Sequence, residues 1–323
     1  GNGETAAAVP KPGDANIVYT LSTAATYGAA THFTINNLQT GQTEPRSIWP
    51  EVLFGVPAST FKYRFNWQAP FLISPHDPKT IYMAATVVFR THDEGMTWEK
   101  ISDDLTLNLE DKMEVAGSSW LPEYFGQETF STIHRLVESS HEEGVLWAGS
   151  DDGLVHLTRD GGKTWNNVTP PGLPELSGIY EIEVSPHDPA AVYLAITRYR
   201  KADDYSPYLL KTEDYGETWK RLDANFPQDE ITRTIREDTL RKGLLFVGTE
   251  TGISASIDDG NQWRRLSLNM PPVPVHDIEV KNADLVVATH GRGFWILDDI
   301  SPLRQYAPEL AAKTAHLFEP EDH

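Results

Sequence analysis

The sequence predicts an all-β fold, a single β-propeller of four-stranded blades, and three observations lead to this prediction. A Ser/Thr-x-Asp-x-Gly-x-x-Trp pattern occurs four times. Each copy follows a run rich in aliphatic and aromatic residues, as strands are, and an earlier turn-forming segment precedes each run. The Trp residues of successive copies are 67, 54 and 44 positions apart. A unit that recurs while its loops vary is typical of propeller blades.

The composition supports a folded domain and excludes several partners. Nine Trp, twelve Tyr and twelve Phe in 323 residues can fill a large core. A formal charge of −20 disfavours nucleic acid and membrane insertion, because phosphate groups attract Lys and Arg. The most apolar run, 81–89, is less than half the ~20 residues of a spanning helix. Without cysteine or a recognisable metal motif, we expect no cofactor and no metal.

Six repeat units are visible, so we expect six or seven blades. The four boxes are THDEGMTW (91–98), TRDGGKTW (158–165), TEDYGETW (212–219) and SIDDGNQW (256–263). Weaker units flank them at 5–49 and 275–300, and the last lacks a fourth strand. We expect residues 1–323 to form one domain, in which 301–323 is a C-terminal closing segment. A strand near 315–318 or from the N-terminal residues would complete the ring, and Ser301 would cap a short helix.

The boxes are predicted to be structural. Asp accepts hydrogen bonds from backbone N–H groups two residues on, Gly supplies positive φ, and Trp packs between neighbouring sheets. The same residue types recur in every hairpin, as a structural role requires. The predicted structural residues are Asp93, Gly95, Trp98, Asp160, Gly162, Trp165, Asp214, Gly216, Trp219, Asp258, Gly260 and Trp263.

These boxes resemble the Asp-box, or BNR repeat, of sialidases and sortilin-type receptor domains. RFNWQAPFLISPHDP (64–78) and DLVVATHGRGFWILDD (284–299) are similar to bacterial sortilin-like or glycosyl-hydrolase BNR-repeat proteins. The resemblance implies a β-propeller in the second half of a longer, double-propeller protein. We expect the protein to be periplasmic or secreted. Activity stays open, because one fold hosts many functions.

Two long insertions indicate the working face. Segment 102–130 connects two blades and 197–208 lies between the second and third strands of one blade, which places both on the rim opposite the boxes. We expect a ligand to meet aromatic and basic anchors there. The predicted ligand-binding residues are Trp120, Tyr124, Arg198, Tyr199, Arg200, His290 and Arg292. Arg233, His276 and Asp277 begin inner strands nearby; alternatively, such polar residues only line a water-filled channel.

Two functions remain open on these residues. The first is a binding or scaffold module for a protein or glycan partner, or for a further propeller domain or subunit. The second is a glycoside hydrolase, which needs two opposed carboxylates; Asp152 and Glu250 are its candidates, with Asp203 and Asp204 in reserve. No P-loop, zinc or nucleophile-elbow motif is complete, and Arg64 is the nearest substitute for a sialidase arginine. Binding is the favoured prediction.

Overall fold

The computed structural model describes residues 6–24, 29–49, 57–66, 68–113 and 129–319. In these ranges almost all regular structure is antiparallel β, in five four-stranded sheets and one three-stranded sheet. The all-β prediction of repeated blades is therefore confirmed. The chain divides into two compact units, Gly1–Ile179 (unit 1) and Tyr180–His323 (unit 2). The prediction of a single domain stays a prediction.

Unit 1 contains sheets 1 to 3, each with its strands in chain order. Sheet 1 consists of β1 (Ala6–Lys11), β2 (Asp14–Ala24), β3 (Ala29–Asn37) and β4 (Thr43–Pro45). Sheet 2 consists of β5 (Phe71–Ile73), β6 (Ile81–Ala84), β7 (Val88–Thr91) and β8 (Glu99–Lys100). Sheet 3 consists of β9 (Ile133–Glu138), β10 (Leu146–Ser150), β11 (Val155–Thr158) and β12 (Asn166–Asn167).

Unit 2 contains sheets 5 and 6 and sheet 4 apart from its first two residues, Gly178 and Ile179. Sheet 4 consists of β13 (Gly178–Val184), β14 (Val192–Arg198), β15 (Asp204–Thr212) and β16 (Lys220–Arg221), with helix α1 (Tyr199–Ala202) between β14 and β15. Sheet 5 consists of β17 (Thr232–Glu237), β18 (Leu245–Thr249), β19 (Ile253–Ser256) and β20 (Arg264–Arg265). Sheet 6 consists of β21 (Val275–Lys281), β22 (Asp284–Thr289) and β23 (Phe294–Leu297), and helix α2 (Ser301–Gln305) follows.

Apolar side chains from facing sheets form the cores. In unit 2, Tyr193 and Leu209 of sheet 4 pack with Ile235 and Val247 of sheet 5. A second cluster joins sheets 5 and 6. The middle strands of sheets 2 to 5 are mostly buried on both faces. Neighbouring sheets stack because each removes apolar surface of the other from water.

Two hydrogen bonds donated by backbone N–H groups repeat in all four box hairpins, and a bond from a Thr hydroxyl to the Asp joins them in the first three. In the first, Asp93 accepts from the Thr97 N–H at 2.9 Å and the Thr97 hydroxyl at 2.7 Å, while the Thr91 hydroxyl accepts from the Gly95 N–H at 2.9 Å. The Asp93 carboxylate thus accepts from the residue four positions later. The Thr91 hydroxyl also accepts from the N–H of Asp93, two positions after it. We predicted that Asp93 accepts from the N–H two residues after it. This was wrong, because that N–H, of Gly95, donates to the Thr91 hydroxyl.

Box Trp and Gly residues contact the neighbouring sheet. Trp165 of sheet 3 donates its indole N–H to the Ile101 carbonyl beside sheet 2 at 2.9 Å, and Trp263 donates to the Leu222 carbonyl at 2.8 Å. Gly162 has φ +91°, and a Cβ there would lie 2.9 Å from Ile101. Glycine is therefore required by both conformation and close approach.

The twice-occurring SPHDP turn has a related role. An imidazole nitrogen of His76 lies 2.7 Å from the Ser139 carbonyl oxygen, and the equivalent nitrogen of His187 lies 2.7 Å from that of Asp238. In each case the histidine reaches the corresponding turn of the next sheet. The identical sequence therefore serves the same sheet-to-sheet contact in both units.

The structure corrects two local predictions. Segment 197–208 is not a long loop: β14 extends to Arg198 and β15 begins at Asp204, with helix α1 as the turn. Arg198 pairs with Asp204 in the strand register, which carries the hairpin outward. Ser301 is the first residue of α2 rather than its cap, and its N–H donates to the Asp299 carboxylate at 2.9 Å.

Sheet 6 has three strands, as the sequence suggested. Residues 301–319 contain α2 and the 3₁₀ helix Pro308–Ala312, and no strand is assigned in that range. The N-terminal strand β1 pairs with β2 in sheet 1. In the described ranges, neither terminal segment therefore supplies the fourth strand predicted for sheet 6.

Candidate functional site

Six side chains meet at one end of sheets 4 to 6, on the strand connections and inner-strand starts that lie opposite the box hairpins. We call this group the arginine–histidine rim. It consists of Tyr199 and Arg200 from α1, Arg233 from β17, Glu250 after β18, His276 from β21 and His290 after β22. The sequence analysis named five of these six as ligand-binding or channel residues. It named the sixth, Glu250, as a candidate catalytic carboxylate.

Tyr199 lies between two arginines. Its hydroxyl oxygen accepts from Arg200 Nε at 2.8 Å and from Arg233 Nη2 at 3.4 Å. The guanidinium carbons of Arg200 and Arg233 lie 5.6 and 5.3 Å from the centre of its ring. Cation–π attraction and the shared acceptor hold both positive groups at this position.

Arg233 forms an ion pair with Glu250. Its Nε and Nη2 atoms lie 2.7 and 2.5 Å from Glu250 Oε2, and its side chain is 10% exposed against 39% for Glu250. Burial lowers the pKa of Arg233, but the hydrogen bonds with Tyr199 and Glu250 raise it by more. The guanidinium therefore stays charged at the base of the rim.

Two imidazoles complete the rim. The rings of His276 and His290 stack with centroids 5.1 Å apart and planes inclined by 26°. Burial lowers the pKa of His276, and the neighbouring charges of Arg233 and His290 lower it further. His276 is therefore neutral at pH 7 and presents an imidazole that can donate or accept a hydrogen bond.

The rim carries net positive charge in an acidic protein. The six rim residues include two arginines and one carboxylate, so these three side chains sum to a charge of about +1, whereas the whole chain has a charge of −20. Arginine suits planar, bidentate recognition of carboxylate or phosphate. The arrangement can therefore hold an anionic group.

Arg198 and Asp204 form an ion pair with each other. Asp204 also accepts from the Tyr208 hydroxyl at 2.7 Å and the Ser206 N–H at 3.0 Å. Burial raises the pKa of Asp204, but these hydrogen bonds outweigh burial and lower it to about 2. Asp204 is therefore ionised at neutral pH and cannot act there as a general acid.

Asp152, the other catalytic candidate, lies in unit 1. It is 1% exposed and accepts from the Leu107 N–H at 2.8 Å and the Ser150 hydroxyl at 2.5 Å. Its neighbour Asp151 accepts from the Thr132 N–H at 2.8 Å. Arg64 donates to the Ser131 carbonyl nearby, at 3.2 Å. These groups bind the backbone of their own unit, which is a structural use of buried carboxylates.

The remaining predicted residues are scattered. Asp203 is exposed and ends α1 with φ +51°. Arg292 is exposed in the turn after β22, and its carbonyl accepts from the Trp295 indole at 3.2 Å. Trp120 and Tyr124 lie outside the described residues. Their predicted roles stay predictions.

A charged cluster deeper in unit 2 was not found from the sequence. Arg236 lies 3.1 Å from Glu181, 3.5 Å from Glu183 and 2.8 Å from Asp277. Burial raises the pKa of Glu183 to about 7, with a further increase from Glu181 and against the effect of Arg236. The available signal was GIYEIEV, in which two glutamates alternate in an otherwise apolar strand and so share a face.

The described ranges contain neither a metal-binding cluster nor a spanning helix. Across these ranges, no group of three or more His, Asp or Glu side chains is arranged to hold a metal ion. Among the same residues, no helix has both the length and the apolar character needed to cross a membrane.

Comparisons with known proteins give structural neighbours alone. Neither a protein-family model nor a curated protein matches the chain. A GH74 xyloglucanase from Xanthomonas campestris superposes with TM-score 0.63 and 14% identity, over 93% of this chain and 45% of that enzyme. YCF48 bound to a D1 peptide superposes with TM-score 0.54 and 15% identity, over 93% of this chain and 82% of YCF48.

The extracellular domain of the two-component system protein BT3049 from B. thetaiotaomicron superposes with TM-score 0.58 and 13% identity, over 92% of this chain and 34% of that chain. The fold is a β-propeller. The chain spans 45% of the xyloglucanase and a third of the BT3049 domain's chain. At these identities the neighbours establish the fold of this propeller and leave its activity open.

Proposed function

We propose that this Asp-box propeller is a binding module that holds an anionic group of a protein partner at the arginine–histidine rim. The observation that carries the proposal is that Arg200 and Arg233 both hydrogen-bond one tyrosine, Tyr199, while Arg233 also pairs with Glu250. A ligand carboxylate would approach Arg200, which has Tyr199 as its partner there. Tyr199 and the stacked imidazoles would supply flat contact surfaces beside that anion.

The state of the candidate carboxylates favours binding over hydrolysis. A glycosidase needs one protonated and one ionised carboxyl group facing the same bond. Asp152 is buried and accepts from the Leu107 N–H, Asp204 is paired with Arg198, and Glu250 is paired with Arg233. Each would have to leave its present partner before it could act on a substrate.

The structural neighbours support a peptide as the ligand. YCF48 has a D1 peptide bound, and this chain covers 82% of that protein, so the likeness involves a propeller of comparable length. The xyloglucanase is more than twice as long as the matched part. A glycan ligand is the alternative that a binding experiment must distinguish.

A second candidate function, glycoside hydrolysis, rests on the cluster around Arg236. Glu183 has a pKa raised to about 7, first by burial, and it shares Arg236 with Glu181 and Asp277. A carboxyl group protonated near neutral pH is the property of a general acid. Turnover of chromogenic glycosides that is lost in Glu183→Gln would support this function over binding.

The protein would act outside the cytoplasm. The neighbours include extracellular domains of bacterial sensor proteins, and the Asp-box resemblance to sortilin-like BNR proteins implies the same location. A further propeller domain or subunit would be a natural additional partner in a longer protein. Cell fractionation of the full-length protein would test this placement.

Calorimetric titration with matched ligands tests the rim. A Glu-rich hexapeptide should bind, and the same peptide with Gln in place of Glu should not. Binding of an acidic oligogalacturonate, compared with a neutral oligoglucan, would instead indicate a glycan site. Arg200→Gln should weaken peptide binding by about tenfold, because a charged hydrogen bond contributes about 1.5–3 kcal/mol. Arg264→Gln, an exposed substitution on β20, is the control. Equal binding by Arg200→Gln and the parent would refute the proposal.

A further inference from the structure

The outer edge of sheet 6 differs from that of its neighbours. Sheets 2 to 5 each end in a two-residue, exposed strand made of Glu-Lys, Asn-Asn, Lys-Arg or Arg-Arg. Very short outer strands with exposed polar or charged side chains discourage pairing with other molecules. Sheet 6 instead ends in β23, whose sequence is Phe-Trp-Ile-Leu. No fourth strand pairs with β23 in the described part of the chain.

One face of β23 is apolar and exposed. Phe294 and Ile296 are 79% and 58% exposed, whereas Trp295 and Leu297 pack against the core of sheets 5 and 6. Arg292 lies in the turn before β23, separated from the strand by Gly293 with φ +68°, and Asp298 directly follows β23, so opposite charges stand at the two ends of the strand. Both flanking residues are exposed.

The backbone N–H and C=O groups that point to the open edge of β23 are those of Phe294 and Ile296. The Thr289 N–H donates to the Gly293 carbonyl at 3.2 Å, which marks a hydrogen-bonded pair in the β22–β23 ladder. Because bonded and non-bonded pairs alternate in antiparallel strands, Trp295 directs its amide groups toward Val287 of β22. Phe294 and Ile296 therefore direct theirs toward the open edge.

We propose that β23 pairs with β23 of a second copy of this chain, antiparallel, about a two-fold axis through Trp295. In that register Phe294 lies opposite Ile296 of the copy, and each pair exchanges the free edge hydrogen bonds. The Arg292 end of one strand lies beside the Asp298 end of the other, twice. Such an isologous contact requires a self-complementary patch, and residues 292–298 form one in both charge and shape.

Charge is the reason to choose a second copy as the occupant. Two chains of formal charge −20 repel each other, so association needs local attraction at the contact. The antiparallel register provides two Arg–Asp pairs at its ends and apolar pairs between them. Opposite charges placed across strands stabilise, and like charges destabilise. The contact depends only on residues 292–298 and is independent of the rim.

Sedimentation velocity from about 5 to about 500 μM, the range in which a small interface associates, measures the contact. The parent should show a concentration-dependent monomer–dimer equilibrium. Arg292→Asp and Asp298→Arg should each raise the dissociation constant by about tenfold or more, because each places like charges opposite each other twice. Arg264→Asp and Asp229→Arg are matched exposed controls and should leave it unchanged.

Charge reversal provides the decisive comparison. An equimolar mixture of Arg292→Asp and Asp298→Arg restores both pairs in the heterodimer, and the double variant restores them in a homodimer. Amide exchange at Phe294 and Ile296, but not at Trp295, should slow as concentration rises. A parent that is monomeric throughout, or single variants that associate equally well, would overturn the proposal. So would slow exchange at these amides in the monomer, since a strand of the same chain would then cover the edge.

Discussion

Trp165 donates its indole N–H to the carbonyl oxygen of Ile101 at 2.9 Å, across 64 residues and from one sheet to the next. Trp263 makes the equivalent bond to Leu222 at 2.8 Å. The first box Trp, Trp98, packs edge-on against Phe33 of the preceding sheet at 5.8 Å. The box thus fastens its own sheet to the one before it.

Truncation of this tryptophan should weaken the domain. Trp165→Ala should lower the free energy of unfolding by about 2–4 kcal/mol, somewhat below the cost for a fully buried aromatic, because Trp165 is half-buried. Trp165→Phe should cost about 1 kcal/mol, mainly the lost hydrogen bond. Urea unfolding followed by circular dichroism measures both. Loss of ligand binding at unchanged stability would contradict the structural role.

Gly162 should tolerate no side chain. It combines φ +91° with an approach of 2.9 Å to Ile101, whereas Gly172 has φ +77° and a Cβ added there would meet nothing within 4 Å. Gly172→Ala should cost about 1–2 kcal/mol from backbone strain alone. Gly162→Ala should cost about 1–3 kcal/mol more because of overpacking. Similar melting temperatures for the two variants would refute the close contact.

The box aspartates should make stability depend on acid. The backbone N–H groups of Thr97 and Thr164, together with the hydroxyls of the same residues, donate to Asp93 and Asp160. These hydrogen bonds lower the pKa of both aspartates from 3.8 to about 2. A lowered folded-state pKa means that the stabilisation is present above about pH 4 and is lost as pH falls toward 2. Melting temperatures at pH 2.5, 4 and 6 should show this, and Asp93→Asn and Asp160→Asn together should flatten the profile.

Glu183 should act in the opposite direction. Burial raises its pKa from 4.5 to about 7, so the folded protein holds the proton more tightly than the unfolded chain. Stability from this group is present below about pH 4.5 and is lost as pH rises through 7. Glu183→Gln should therefore melt higher than the parent at pH 8 and nearly equally at pH 4.5. Glu309→Gln, an exposed control, should follow the parent at both.

The parts of this protein that depend on short-range geometry follow from its amino-acid sequence alone. Each box closes through bonds between residues two and four positions apart, so the pattern at 91–98 already specifies the hairpin. The variable spacing of the boxes showed the repeat, and the missing fourth strand after 297 was visible in the same way. Local chemistry of this kind does not need the rest of the chain.

The pairing of charges that are distant in the chain depends on how the sheets pack. Arg236 meets Asp277 and Glu181, which are 41 and 55 positions away in the chain, and Arg233 meets Tyr199 across 34. The outward continuation of the hairpin at 197–208 depended on the pairing of Arg198 with Asp204. A carboxylate's role is set by which cation or N–H it meets once the strands are stacked, because Coulomb energy and desolvation depend on distance and burial. Sequence reveals the residue type, and packing assigns its partner.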